Sequence, residues 1–313
     1  MAITVEAEGA GAVPAVPVEQ ARTPGALKLL ASVTRWELKR LAASRSSWVM
    51  AGTALVGFVG ILWVRHDWGL ADRLVLFGTT TYGQLSELVY ELMVVFGVVL
   101  PFLAADAVAH DYKQRMHELL MTTAIPTPIY IWGRYLASLL VSLGLAVIMI
   151  AAQWGTNLAL SATDPLYPLP SLARALAFWG VIALPETILI CSLCFALGAF
   201  FPRFTIATKL ALCIAWVILA FDTDPRDVGW RAYWNPTGAG MATLLTNQLR
   251  LQVQDAVQSV AGLAGQARVA LQVQQQMPDV RPWVGPYVAW VVFGVLLVAL
   301  AAVTFRRFRD VLG

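Results

Sequence analysis

The run "YLASLLVSLGLAVIMIAAQW", residues 135–154, narrows the choice of fold more than any other feature of this chain. It contains no charged residue. Inside a bilayer every backbone N–H and C=O must be satisfied within the protein, so only helices and closed barrels can span. Barrel strands alternate apolar and polar residues over roughly 10 positions. Here the apolar residues are continuous, over the length a helix needs to cross a hydrocarbon core about 30 Å thick. Comparable runs recur along the 313 residues, of which 58% are apolar and 13% charged. Soluble domains run nearer about 45–50% apolar and about 25% charged. The chain reads as an all-α polytopic membrane protein.

Six spans are expected, at residues 48–64, 88–109, 134–158, 174–200, 205–221 and 283–305. The first is short, between Arg45 and Arg65. The fourth is long and carries Pro185, which predicts a kink or tilt. Residues 1–24 are rich in Ala, Pro and Gly and hold three glutamates but no apolar h-region. They are expected to form a disordered cytoplasmic tail rather than a signal peptide, ahead of a membrane domain over 25–313. With the N-terminus inside, the inner segments hold fourteen lysines and arginines, and the short outer ones hold three. The positive-inside rule then places both termini in the cytoplasm.

Two flanking segments are expected to be helical but not spanning. In "GALKLLASVTRWELKRLAASRSSW", Leu27, Leu30, Thr34, Leu38 and Leu41 recur at helical spacing, with Lys28, Arg35 and Lys39 opposite. That pattern predicts an amphipathic helix in the inner interface. The segment 222–282 opens on the turn-rich "DTDPRDVGWRAYWNP". It continues with Leu245, Leu249, Val253, Val257, Val260, Ala264, Ala267 and Leu271 at helical spacing. One or two extracytoplasmic helices are expected, broken near Gly262 or Gly265, as an exit cap or as a packing lid or dimer contact.

Several kinds of chemistry are missing. The chain has no phosphate-binding G-x-x-x-x-G-K-[ST] loop, no G-x-S-x-G elbow and no H-E-x-x-H helix. A net charge of +3, without a basic run interleaved with aromatics, excludes nucleic acid as an expected partner. Cys191, Cys194 and Cys213 lie in apolar runs without His or acid neighbours and read as small packing residues. His110 and His117, with Asp111 and Glu118 nearby, are the one conceivable metal set, but no bound metal is expected. One acid falls within a span: Glu186, in "VIALPETILICSL". A mid-bilayer carboxylate costs on the order of 2–3 kcal/mol or more, so it should face protein or water. It is either a translocation-path residue or a hydrogen-bonded filler beside Pro185.

The remaining anomaly is polar. Within "HDYKQRMHELLMTTAIPTP", residues 110–128, a helix is expected over 111–123. Met116, Leu119, Leu120 and Thr123 form one face, while Asp111, Arg115 and Glu118 form a charge ladder on another. Pro126 and Pro128 end it, and Thr127 can cap the next helix with Pro128 at its first position.

"DYKQRMHELLMTTAIP" followed by "WGRYLA" resembles the permease subunits of ABC transporters of the second export class (ABC type 2). Their second and third spans are joined by a run similar to E-R-E-x-G-T-L-E-L-L-L-T-T-P and a following G-K. Asp111 matches the first acid, residues 118–123 the E-L-L-L-T-T core, and Gly133-Arg134 the G-K. Arg115 replaces the usual glycine, His117 replaces a leucine, and Ala124-Ile125 delay the proline by two positions. The resemblance implies a permease that pairs with a second permease copy, identical or paralogous, and with two copies of a cytoplasmic ABC ATPase. The polar helix would then be a coupling helix, with Asp111, Arg115, Glu118, Leu119, Thr122 and Thr123 toward the ATPase. ATP and Mg would be held by that partner, and this chain would bind no cofactor and catalyse no reaction. The implied location is the plasma membrane of a prokaryote. Another reading keeps the fold but makes the chain a non-transporting anchor that passes ATPase motion to an extracytoplasmic partner. An intramembrane enzyme is disfavoured, since Glu186 has no catalytic companion within the spans. Nothing in the sequence selects a substrate.

Overall fold

The computed structural model describes residues 25–71, 79–87, 93–104, 125–163, 168–222 and 229–305. Every regular element among them is helical. In chain order these are α1 (Ala26–Ala43), α2 (Arg45–Ala71), α3 (Thr81–Glu87), α4 (Met93–Ala104), α5 (Thr127–Thr163) and α6 (Leu172–Phe178). A π-helical stretch, Trp179–Ala183, joins α6 to α7 (Leu184–Phe200). Then come a 3₁₀ turn (Pro202–Phe204), α8 (Thr205–Phe221), α9 (Trp230–Trp234), α10 (Ala239–Gln258), α11 (Leu263–Gln274) and α12 (Arg281–Thr304).

Five helical stretches are long and apolar enough to cross a bilayer: Arg45–Val64, Thr127–Thr163, Leu172–Phe200, Pro202–Phe221 and Arg281–Thr304. They correspond to the first, third, fourth, fifth and sixth spans expected from the sequence. The second is represented by α4, and its remaining residues lie outside the described ones. The fold is that of an all-α, multi-pass membrane protein.

Helix directions follow from side-chain pairs. Tyr135 on α5 meets Ser192 on α7, while Gln153 further along α5 meets Trp179 before α7, so these helices are antiparallel. The Cys213 thiol faces the Val98 carbonyl at 3.8 Å, and Lys209 lies over the Phe102 ring, which makes α4 and α8 antiparallel too. α7 and α12 run parallel. Tyr287 lies within Coulombic range of Glu186, and one helical stretch further on Gly294 lies against Ser192.

Directly before Pro185 lies the π stretch. Proline has no N–H to return to the carbonyl four residues back. One residue earlier the ladder has already slipped, with the Leu184 N–H donating to the Trp179 carbonyl. The helix absorbs the missing donor by widening rather than breaking.

The third span was expected over 134–158, after a helix start capped at Thr127; α5 does begin at Thr127 and runs for 37 residues. That is roughly 55 Å at 1.5 Å per residue. Arg134, near its start, is buried. On α1 the expected two faces hold: Leu41 is buried, Leu30, Thr34 and Leu38 are half-buried and Lys28, Arg35 and Lys39 are exposed; Val33 and Glu37 join the buried side and Leu27, 81% exposed, leaves it. α1 packs along the start of α5, and α5 offers a guanidinium that an all-apolar stripe could not satisfy.

The segment 222–282 does contain two main helices, broken between Gln258 and Leu263 with Gly262 at φ 89°. The first two turns of α10, from Ala239 to Leu245, are buried on every side, as for a helix end pushed into the core. Further along, Leu249 and Val253 pack with Tyr82 of α3 and Ala270 of α11. Ala267, expected inward, is exposed, and Ala270 takes its place.

The close seat of α10 depends on Gly240. A Cβ there would lie 2.4 Å from the Ala232 carbonyl oxygen and 2.8 Å from its Cα, both backbone atoms. Gly240→Val should therefore cost at least the about 1–3 kcal/mol typical of overpacking. Gly60→Val, with nothing within 4 Å, should leave stability near the parent's. Thermal unfolding of both purified variants in one detergent checks this; equal melting temperatures would refute the packing at Ala232.

Candidate functional site

The polar stretch singled out in the sequence lies outside the described residues, and with it Asp111, Arg115, Glu118, Leu119, Thr122 and Thr123. What the structure describes are its two flanks, α4 ending at Ala104 and α5 starting at Thr127. The second flank enters one of the most polar packing sites of the bundle.

Gly133 and Arg134, the match to the family's G-K, sit one turn into this packing. A Cβ on Gly133 would fall 2.6 Å from Cγ1 of Val33, so glycine lets α1 and α5 touch. Arg134 is fully buried beside it. Its Nη2 lies 3.9 Å from Oε2 of Glu37, which is also fully buried. Its guanidinium is 4.7 Å from the Tyr130 ring centroid and 5.4 Å from that of Trp36. Arg40 completes the group: its Nε donates to Oε2 of Glu37 at 2.9 Å, and its Nη2 pairs with Oε1. A carboxylate and a guanidinium taken out of water require each other, and the aromatic faces add cation–π attraction.

Sequence reasoning named Gly133 and Arg134 only through the resemblance and missed Glu37 altogether. The signal was available. Glu37 is the one acid in α1 and lies four residues from both Val33 and Leu41, in the middle of the buried stripe.

Glu186 sits in the first turn of α7, directly after the π stretch. It is 1% exposed, and neither carboxylate oxygen has a hydrogen-bond partner. On α12, Tyr287 is within Coulombic range, and its hydroxyl is likewise buried without a partner. Beside Glu186, Thr187 closes the local backbone, donating to the Ala183 carbonyl at 2.6 Å.

At the end of the bundle away from α1, a second polar group ties four elements to α3. Thr81 donates to the Gln275 carbonyl and accepts from Arg174, at 3.0 and 2.9 Å. Gln153 donates to the Gln84 carbonyl at 3.2 Å, and the Trp179 indole donates to Gln153 at 3.1 Å. Tyr82 donates its hydroxyl to the Leu245 carbonyl. Burial pushes its phenol above the ordinary value, so it stays a donor. The three cysteines are buried and free, as expected of packing residues. Among the described residues no cluster of His, Cys, Asp and Glu could hold a metal.

No protein-family model and no curated protein matches this chain.

The buried pair makes a quantitative demand. Glu37→Gln removes the buried carboxylate that Arg134 and Arg40 share and should cost about 3–5 kcal/mol. Glu37→Met combined with Arg134→Met should recover part of that loss, because the desolvation of both charges disappears. Unfolding of the single and double variants in detergent measures it; strictly additive losses would show that the two residues do not interact.

Proposed function

We propose that the chain is the membrane-spanning permease subunit of an ATP-driven exporter, working with a separate cytoplasmic ABC ATPase. The sequence of residues 111–134 suggests this class. The observation that carries the reading is the joint at Gly133 and Arg134, where α5 is fixed to α1 directly after the polar stretch. A force applied to residues 105–124 would enter a 37-residue helix already clamped near its start. It would not be lost in a slack loop.

In this reading the bundle has six spans, with α4 part of the second, and both termini are cytoplasmic in a prokaryotic plasma membrane. The polar stretch seats on the ATPase, with Asp111, Arg115, Glu118, Leu119, Thr122 and Thr123 in contact. ATP and Mg stay on that partner, and the permease functions as a pair of identical or paralogous copies. α2 and α8 are the least buried spans, with 17% and 22% of their apolar windows covered, which leaves them open to lipid or to a second copy. ATP can then shift the permease only by binding the two arrangements of the ATPase pair with different affinity. Glu186 and Tyr287 form the internal polar point of the path.

A second reading, a non-transporting anchor for an extracytoplasmic partner, draws on one observation. The α10–α11 pair forms a packed helical unit of its own against α3.

Co-expression with its neighbouring genes should yield a complex with a co-purifying ATPase, and its absence would refute the reading. Glu118→Lys should preserve insertion and folding while abolishing stimulated ATP hydrolysis; failure to insert would refute the coupling role. Transport in proteoliposomes separates the readings. Substrate-stimulated hydrolysis with export, reduced in Glu186→Gln, supports the permease, whereas hydrolysis without export supports the anchor.

A further inference from the structure

The face of α1 turned away from the bundle carries charge of one sign. Val33, Glu37 and Leu41 are buried, and opposite them Lys28, Arg35 and Lys39 are exposed. At 3.6 residues per turn these three cations fall within about 40° of one another, in one stripe about three turns long. Glu37, the one acid of α1, is turned inward to Arg40 and Arg134. Among the described residues, none of the three outward cations has an acid partner. An apolar edge borders the stripe: Leu27, Leu38 and Ala31 lie next to it around the helix, Leu27 and Ala31 exposed and Leu38 half-buried. We propose that this face of α1 binds a bilayer surface of acidic phospholipid, with Lys28, Arg35 and Lys39 on the headgroups and the Leu27 edge at the acyl boundary. The assignment rests on the chain being a membrane protein, and it is independent of the exporter reading.

The level of α1 fits that surface. The apolar run of α2 begins at Arg45, directly after the break at Ser44, and α1 packs against the start of a second spanning helix, α5. α1 therefore lies where two spans enter the bilayer. Trp48, a turn into α2, is 64% exposed while its indole N–H donates to the Ala42 carbonyl at 2.7 Å. An aromatic ring turned outward with its polar edge satisfied is typical of the headgroup level. Arg45, also exposed, extends the positive charge to the start of α2.

The two edges of the helix do different work. The apolar edge would hold α1 on a bilayer of any composition, because it responds only to the acyl boundary. The stripe adds selectivity, since each basic side chain at an acidic surface contributes about fivefold to binding and gains little from a zwitterionic one. With the acid of α1 turned inward, no charge on the helix opposes the stripe from the outer face. A free anion would gain nothing from Leu27, whereas a lipid surface meets both edges at once.

The test places a reporter on the apolar edge of the full-length chain. Cys191, Cys194 and Cys213 are buried, so Ala31→Cys can be labelled selectively with a bimane fluorophore. The labelled protein is reconstituted in nanodiscs containing a small, fixed fraction of lipid with a nitroxide high on its acyl chain. That lipid is either phosphatidylglycerol or phosphatidylcholine. Quenching should report enrichment of phosphatidylglycerol over phosphatidylcholine near α1 by at least about fivefold. Molar salt, or Lys28→Gln with Arg35→Gln and Lys39→Gln, should bring the two lipids level while both still quench. Equal quenching in the parent would overturn the proposal and leave the stripe a solvated face. Absence of quenching by either lipid would overturn it by taking α1 off the bilayer. A preference that survives the triple substitution would overturn it as well; if that variant does not reconstitute, a preference in the parent that survives molar salt has the same force. Loss of a co-purifying partner protein in the triple variant, with the lipid preference intact, would assign the stripe to that partner instead.

Discussion

A guanidinium without exposed surface cannot stand alone, and the arrangement at one end of this bundle follows from that. Arg134 faces Glu37 across 3.9 Å, and α1 lies against the start of α5 with that acid turned inward. With α1 so placed, the chain must bend sharply at Ser44 for α2 to enter the bundle, and the bend leaves a cavity between Arg40 and Lys209. Gly133 allows the contact by giving up a side chain where Val33 arrives. An apolar version of the same contact would pack two helices, but with no preferred register. A single charge pair in an otherwise sliding interface fixes one.

The other end is organised differently. There α3 is held by single hydrogen bonds to α6, to the end of α11 and to α10, and it accepts another from α5. The neutral bonds among these contribute about 1 kcal/mol each, and only the one from Arg174 has a charged donor. One end is clamped by a buried ion pair, while the other is laced by several separate hydrogen bonds. Between them lie the π stretch and Glu186, where the backbone ladder is locally shifted and a carboxyl has no bonded partner. Irregular backbone and an unsatisfied acid at the same level mark the least regular layer of the bundle.

How much of this was legible in the sequence depends on the kind of information each part carries. The spans were legible because apolar length is a one-dimensional property, as was the break near Gly262. The irregularity before Pro185 takes a π form that was not legible, because which carbonyl gives up its partner depends on packing around Trp179. The burial of Arg134 was not legible either, because Glu37 lies nearly a hundred positions away in the chain. The two faces of α1 were legible from its periodicity, but the inward turn of Glu37 was not, since that depends on what α5 offers. The residues proposed to contact an ATPase were legible only as a motif and fall outside the described structure. Their flanks, by contrast, are accounted for by geometry.

Those flanks bear on how the bundle could respond to a partner. α4 and α5 bound the polar stretch on its two sides, and each is packed near that end. α4 meets α8 through Phe102 and Lys209, and α5 meets α1 through Arg134 and Glu37. Both contacts join an aromatic ring or a carboxylate to a buried cation, and such contacts are directional enough to resist sliding. Displacement of residues 105–124 would therefore move α4 and α5 together with the helices paired to them, rather than stretch the joints. The nearest place for that movement to be taken up is the layer of the π stretch, where α7 lies beside α5 and the ladder is already out of register. On that view the order of stiffness along the bundle runs from the charged clamp to the shifted layer at Glu186. Among the described residues that layer also holds Glu186, a buried acid without a hydrogen-bond partner.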